Sequence, residues 1–64
     1  MKVREILRIL KRDGWYVAGF RGSHRQLLHP WKKGKVTVAG KESMDLDPKT
    51  LRSILRQSGL EDES

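Results

Sequence analysis

The sequence of 64 residues contains no cysteine, which excludes disulfides and thiolate metal ligands and is typical of a reducing compartment. No apolar run approaches the roughly 20 residues that span a bilayer, so we expect no membrane association and a cytoplasmic location. A chain this short buries only roughly 60% of its unfolded surface, which excludes a large catalytic cleft or a Rossmann unit. We therefore expect one small domain that presents a surface to a larger partner.

Acidic residues are scarce in the first two thirds of the chain. Residues 1–41 carry eleven Lys and Arg against two acids, a net charge of +9, whereas residues 42–64 carry three against six, a net charge of −3. The sequence pI of about 10.2 exceeds the roughly 9 that indicates a polyanion-binding surface. A charged surface that only keeps the domain soluble is the alternative interpretation. We favour a polyanionic partner because the excess is large for so small a domain.

Two helices are predicted, one near each end of the chain. The apolar stripe of the first consists of Val3, Ile6, Leu7 and Leu10. Gly14 is expected to end this helix in a left-handed conformation. The apolar stripe of the second consists of Leu51, Ile54 and Leu55. Asp47 is its predicted N-cap, Pro48 its first residue and Gly59 its end, and residues 40–47 before it are interpreted as a loop.

Three short strands are predicted between the helices, over residues 15–20, 25–29 and 35–39. Turns are expected at 21–23 and at 32–34, and the phase of the middle strand is open because Leu27 and Leu28 point to opposite faces. The order α-β-β-β-α predicts a two-layer α+β domain of the double-stranded-RNA-binding type over residues 1–60, with two helices on one face of a three-stranded antiparallel sheet. Residues 61–64 are predicted to be an acidic, disordered tail.

The sequence lacks the catalytic residues that most enzyme classes require. His24 and His29 lie five residues apart in a strand region and are expected to project to opposite faces, so we predict no metal site and no cofactor. Ser23 has no recognisable base with an orienting partner. His29, before a proline, is interpreted as a structural residue at a strand end.

One constellation remains, at the turn that leads to His24. This imidazole directly follows a tight turn and lies between Arg21 and Arg25. RNA carries its own nucleophile, the 2′-hydroxyl, so its cleavage requires only a base, positive charge on the phosphate and an acid. Histidine and arginine supply these functions without a metal ion. A solvated or structural histidine is the alternative interpretation of this motif alone.

Several segments, in this order, resemble the HicA toxin family: Asp13-Gly14-Trp15, Gly22-Ser23-His24-Arg25-Gln26, His29-Pro30, Gly34-Lys35-Val36-Thr37-Val38 and the stretch 51–60. The resemblance covers about residues 2–60. It implies a small mRNA interferase with a fold like that of double-stranded-RNA-binding domains, neutralised by a HicB antitoxin, and it assigns the catalytic role to His24. It also implies that Leu27 faces the core. Many members continue into a Val-Pro-x-His-like segment after the third strand, where this chain has Val38-Ala39-Gly40-Lys41.

The sequence thus predicts an endoribonuclease toxin with RNA and a HicB-type antitoxin as partners. The predicted RNA-binding residues are Arg21, Ser23, Arg25, Gln26, Lys32, Lys33 and Lys35. Trp31, beside two lysines, is interpreted either as a base-stacking residue or as a partly buried turn aromatic. Two alternatives to the enzyme stay open. One is a non-catalytic RNA-binding module of the same fold, and the other is a protein-interaction domain whose basic face binds an acidic partner.

Overall fold

A computed structural model describes residues 1–61 of the chain and has the element order α-β-β-β-α. The elements are α1 (Val3–Asp13), β1 (Tyr16–Arg21), β2 (His24–Leu28), β3 (Val36–Val38) and α2 (Pro48–Ser58). The strands form one antiparallel sheet in the order β1-β2-β3. The predicted α+β class and element order are confirmed, and the arrangement is compatible with a fold of the double-stranded-RNA-binding type.

The end of α1 follows the predicted signal. Its apolar stripe, Val3, Ile6, Leu7 and Leu10, is buried. Gly14 then adopts a φ of 111°, and the Trp15 backbone N–H donates to the carbonyl oxygen of Leu10 at 2.9 Å. A second constraint acts on Gly14, because a Cβ atom there would lie 2.7 Å from Nε2 of His29. This position therefore needs glycine both for its backbone and for its neighbour.

Both ends of α2 are confirmed as well. The Asp47 carboxylate accepts a hydrogen bond from the Thr50 backbone N–H at 3.2 Å, which satisfies one free donor of the first turn. At the other end Gly59 has a φ of 74°, and the Leu60 N–H donates to the Leu55 carbonyl oxygen at 2.9 Å.

The core lies between the helices and one face of the sheet. It consists of Val3, Ile6, Leu7, Leu10, Trp15, Leu27, Val36, Val38 and Ile54. Leu27 is fully buried, whereas Leu28 is 38% exposed on the other face. The phase that the sequence left open is thereby fixed, and Leu27 faces the core as the family resemblance implied.

The predicted strand bounds change in ways that have local causes. Trp15 is buried at the end of α1 and does not belong to β1, which extends instead to Arg21. The first turn therefore shortens to Gly22 and Ser23. The second connection is longer than predicted and runs over 29–35. The backbone N–H groups of Trp31 and Lys32 donate to Nδ1 of His29, so the chain turns around this side chain instead of continuing the strand.

The loop between β3 and α2 is attached to the start of α1. The Val3 N–H donates to the Met44 carbonyl oxygen at 2.9 Å, and the Leu46 N–H donates to the Met1 carbonyl oxygen at 2.8 Å. Within residues 1–61 no helix combines the length and the hydropathy needed to cross a membrane. Of the predicted tail, Glu61 is described and lies 3.7 Å from the Arg56 guanidinium, whereas 62–64 lie outside the described residues.

Candidate active site and nucleic-acid interface

The face of the sheet that the helices leave uncovered, here called the open face, carries the candidate site. Strand alternation and the pairing register assign its members: Tyr16, Gly19, Arg21, His24, Gln26, Leu28 and Thr37. None of them is acidic. The surrounding chain shares this property, because residues 14–41 contain six Lys and Arg and no Asp or Glu. A polyanion that approaches this face therefore meets no carboxylate repulsion from the sheet or from the connections between its strands.

A β-bulge in β1 decides which residue stands opposite His24. The register shifts between Val17 and Gly19, so Ala18 is the additional residue, and Arg21 pairs with His24. In a regular ladder from Val17, Phe20 would have paired with His24 instead. The bulge was not predicted from the sequence. The one signal that could have indicated it is Gly19, an isolated glycine within a strand.

The turn before His24 is a two-residue hairpin loop. Gly22 has a φ of 63° and Ser23 a negative φ, which are the signs of a type II′ turn. This turn type matches the twist of the two strands, so the last pair of the ladder closes directly at Arg21 and His24. Cβ atoms of residues that face each other in this way are about 5 Å apart. Both side chains are exposed, and the imidazole is reachable from solvent.

Arg25 lies on the other side of the sheet from His24. Its guanidinium Nη1 donates to the Gly40 carbonyl oxygen at 2.8 Å, and the residue is half-buried. The contact ties the hairpin to the segment that follows β3. The structure therefore does not bring Arg25 to the face that carries the imidazole, and this placement favours a structural role over the predicted phosphate contact.

Gln26 and Ser23, in contrast, stay near the imidazole. Gln26 is two residues along β2 from His24 on the open face, a separation of about 7 Å. It is half-buried, between Gly19 on β1 and Thr37 on β3. Ser23 is exposed in the turn itself. A Cβ atom on Gly19 would meet nothing within 4 Å, so the space above Gly19 on the open face, beside Gln26, is unoccupied by other protein atoms.

The lysines of the connection between β2 and β3 divide into two kinds. Lys32 is half-buried, and its Nζ donates to the Asp13 carboxylate and, at 3.1 Å, to the Ser58 carbonyl oxygen. The hydrogen bond from Lys32 holds the pKa of Asp13 below its ordinary value of 3.8, against the opposing effect of desolvation. Lys32 thus joins the ends of α1 and α2 to the connection, a role that sequence reasoning missed.

Lys33 and Lys35 are exposed and available to a ligand. The connection that carries them starts at the Leu28 end of β2, four residues from His24, which is about 13 Å along the strand. They are therefore not part of one compact site with the imidazole. A ligand that touches both regions must extend along the sheet.

His29 is bonded at both ring nitrogens and is buried. Its Nε2 lies 2.7 Å from the Asp13 carbonyl oxygen, and its Nδ1 is 3.2 Å from the backbone nitrogens of both Trp31 and Lys32. Because backbone N–H groups donate and a carbonyl oxygen accepts, the ring is the neutral tautomer with its proton on Nε2. His29 is a structural residue, as the sequence interpretation proposed. Within residues 1–61, no three His, Asp or Glu side chains group as a metal site requires.

Comparison with protein families gives this basic α+β domain its class. Residues 3–60 match the family described as HicA toxin of bacterial toxin-antitoxin, so the chain is a toxin of the class that is paired with an antitoxin. The match covers nearly the whole sequence. The chain belongs to the HicA toxin family. No curated protein matches it.

Proposed function

We propose that this toxin is an endoribonuclease that cleaves mRNA, with His24 as its catalytic residue and without a metal ion or cofactor. One observation carries the proposal: an exposed imidazole stands opposite an exposed arginine on a sheet face that has no carboxylate. Proton transfer and charge stabilisation at a phosphodiester need these two groups next to each other.

In the proposed reaction the ribose 2′-oxygen attacks the adjacent phosphorus. The imidazole of His24 takes the 2′-hydroxyl proton as the new O–P bond forms. The P–O5′ bond then breaks, and the same proton passes to the departing 5′-oxygen. The products are a 2′,3′-cyclic phosphate and a 5′-hydroxyl end, with no net uptake of water, electrons or protons. One imidazole serves both transfers because His29, the other histidine, is buried and bonded at both nitrogens.

The remaining predicted residues divide into RNA contacts and supports in this proposal. Arg21 donates to the reacting phosphate, which gains negative charge as the 2′-oxygen adds. Ser23 and Gln26 contact the nucleotides beside the scissile bond, and Lys33 and Lys35 bind phosphates further along the strand. The other two residues of the predicted set, which already bond to protein groups, hold the hairpin and the connection in place.

We further propose that the antitoxin paired with this toxin is of the HicB type and that it neutralises the toxin by covering the open face. An acidic antitoxin surface would complement this face and the connections between its strands, which carry only positive charge. The same contact would exclude RNA from His24. Since mRNA is the substrate of the proposal, the toxin acts in the cytoplasm.

The test compares the wild type with His24→Asn on a labelled transcript in the presence of EDTA. We expect the wild type to produce cyclic-phosphate ends and the variant to lose cleavage while it keeps its melting temperature. Arg52→Gln, an exposed cation on α2, is the matched control and should cleave normally. Undiminished cleavage by His24→Asn would refute the assignment of the catalytic residue.

The same experiment separates the enzyme from a non-catalytic RNA-binding module. The observation that favours the module is the single accessible imidazole within residues 1–61, since His29 is enclosed. Intact RNA together with binding that weakens steeply with salt would establish the module and exclude the nuclease.

A further inference from the structure

The most exposed aromatic side chain among the described residues is Trp31, in the connection between β2 and β3. It is 77% exposed, although a tryptophan on a small domain is usually covered by its own core. Trp15, the other tryptophan, illustrates this, because it is only 2% exposed. Core packing therefore does not explain Trp31, and its surroundings show what the exposed ring can do.

The ring of Trp31 is held in place by a buried neighbour. Its centroid lies 4.7 Å from that of His29, edge to face at 82°, and its backbone N–H donates to Nδ1 of His29 at 3.2 Å. His29 is itself fixed by Asp13 and by the ring of Trp15, whose centroid is 5.1 Å away. The exposed indole is thus positioned before any ligand arrives, and a ligand that stacks on it needs to order little of the protein.

The charges around Trp31 match a nucleic acid. Lys33 and Lys35 follow it and are exposed, while Lys32 is turned inward to Asp13. No acidic residue occurs between positions 13 and 42. An aromatic plane beside free cations is the arrangement that binds a single strand, because each base stacks on the ring while its phosphates meet the lysines.

We propose that Trp31 stacks on an unpaired base of the RNA and fixes the position of the strand relative to His24. The inference rests on the proposed function for its substrate. The strand would run along β2, from the connection at one end to the hairpin turn at the other, more than about 13 Å in length. Trp31 would then require an unpaired base at a fixed distance along the strand from the bond that is cleaved at His24. The substrate class is single-stranded RNA, since bases within a duplex present no free face.

Binding is measured with the inactive His24→Ala protein, so that the RNA stays intact. The probes are a 12-nucleotide RNA without self-complementarity and the same strand annealed to its complement. We expect Trp31→Leu, which keeps an apolar side chain against His29, to weaken single-strand binding roughly ten-fold, and Trp31→Phe to retain most of the affinity. Binding of the duplex should be equal in the His24→Ala protein and in its Trp31→Leu and Trp31→Phe variants. Phe20→Ala, a 70% exposed aromatic on the other side of the sheet, is the matched control and should bind normally.

Salt dependence distinguishes stacking from charge. Trp31→Leu should leave the slope of log affinity against log salt unchanged, whereas replacing Lys33 and Lys35 by Gln should reduce it by about 0.7 for each lysine. Unchanged single-strand affinity in Trp31→Leu overturns the inference, and so does an equal loss on the duplex. Weaker antitoxin binding with normal RNA binding would assign Trp31 to a protein contact and also overturn it. Cleavage by the wild type is measured separately. Absence of nuclease activity can therefore be distinguished from absence of base stacking by Trp31.

Discussion

The two ends of β2 carry the two histidines of the chain, and the protein treats them in opposite ways. His24 follows a two-residue turn, is exposed, and has an arginine as its neighbour across the strand pair. His29 lies one residue beyond the other end, enclosed between two tryptophans and bonded at both nitrogens. The comparison shows that one residue type is accessible to a ligand at one end of the strand and stabilises the fold at the other, where both of its ring nitrogens are bonded. Each prediction below alters one end and leaves the other unchanged.

The largest effect is expected at the His24 end and concerns rate alone. His24→Gln should reduce RNA cleavage by about 10²–10⁴-fold, the usual contribution of a positioned acid–base group, while the melting temperature stays within a degree or two of the wild type. The measurement is single-turnover cleavage of a transcript beside thermal unfolding. A large fall in stability would show that His24 is also part of the packing and would remove the contrast between the two ends.

At the opposite end, Gly14→Ala should produce the largest loss of stability. The substitution places a side chain at a φ of 111° and within 2.7 Å of Nε2 of His29, so backbone strain adds to a steric clash. We expect the free energy of unfolding to fall by about 3 kcal/mol, measured by urea denaturation. Gly22→Ala is the comparison: it also has a positive φ, but its new Cβ meets nothing within 4 Å, so about 1 kcal/mol is expected. Equal losses would mean that contact with His29 is unimportant.

Replacement of His29 itself should come next. His29→Leu keeps most of the volume but leaves the Asp13 carbonyl oxygen and two backbone N–H groups without their partner, so unfolding should become easier by about 2 kcal/mol. Cleavage by the fraction that stays folded should persist. A structural role for His29 is contradicted if His29→Leu lowers the cleavage rate of the folded protein as far as His24→Gln does, because both histidines would then take part in the reaction.

A smaller effect is expected from the lysine that joins the helix ends. Lys32→Met removes its bonds to Asp13 and Ser58 and should reduce stability by about 1 kcal/mol. Lys33→Met, one residue further on and exposed, should leave stability unchanged and weaken RNA binding instead. Chemical denaturation and RNA titration of both variants separate the two roles, and a reversed pattern would contradict the assignment.

The smallest effect is a dependence of stability on pH. Because the pKa of Asp13 is lowered in the folded protein, its ionised form stabilises the fold above the unfolded pKa of about 3.8, and this contribution is lost as the pH falls through the folded pKa. The hydrogen bond from Thr50 also lowers the pKa of Asp47, so the wild type loses stability in acid at two positions. Asp13→Asn should show a shallower loss than the wild type below about pH 4 in denaturant titrations. Parallel curves would show that Lys32 does not engage Asp13 in solution.

How much of the structure can be predicted from the sequence depends on how far apart along the chain the interacting residues are. The helix ends at Gly14, Asp47 and Gly59 were predictable because a cap is decided by neighbours a few residues away. The exposure of His24 was predictable once Leu27 was placed in the core, since a strand alternates.

The inward roles of Arg25 and Lys32 were not predictable. Their partners, Gly40 and Ser58, are 15 and 26 residues away and come close only after folding. A basic residue in a basic segment gives no local sign that its charge is already engaged. The composition therefore overstates the number of cations that are available to a polyanionic ligand.

The bulge at Ala18 has a consequence for how this chain tolerates changes in length. Since the ladder already skips that residue, deleting it would straighten β1 and still leave Arg21 across from the imidazole. Restoring a regular ladder with every residue kept would put a phenyl ring there instead, although no side chain had been replaced. The register of β1, and not composition alone, thus decides which side chain stands opposite His24 in this toxin.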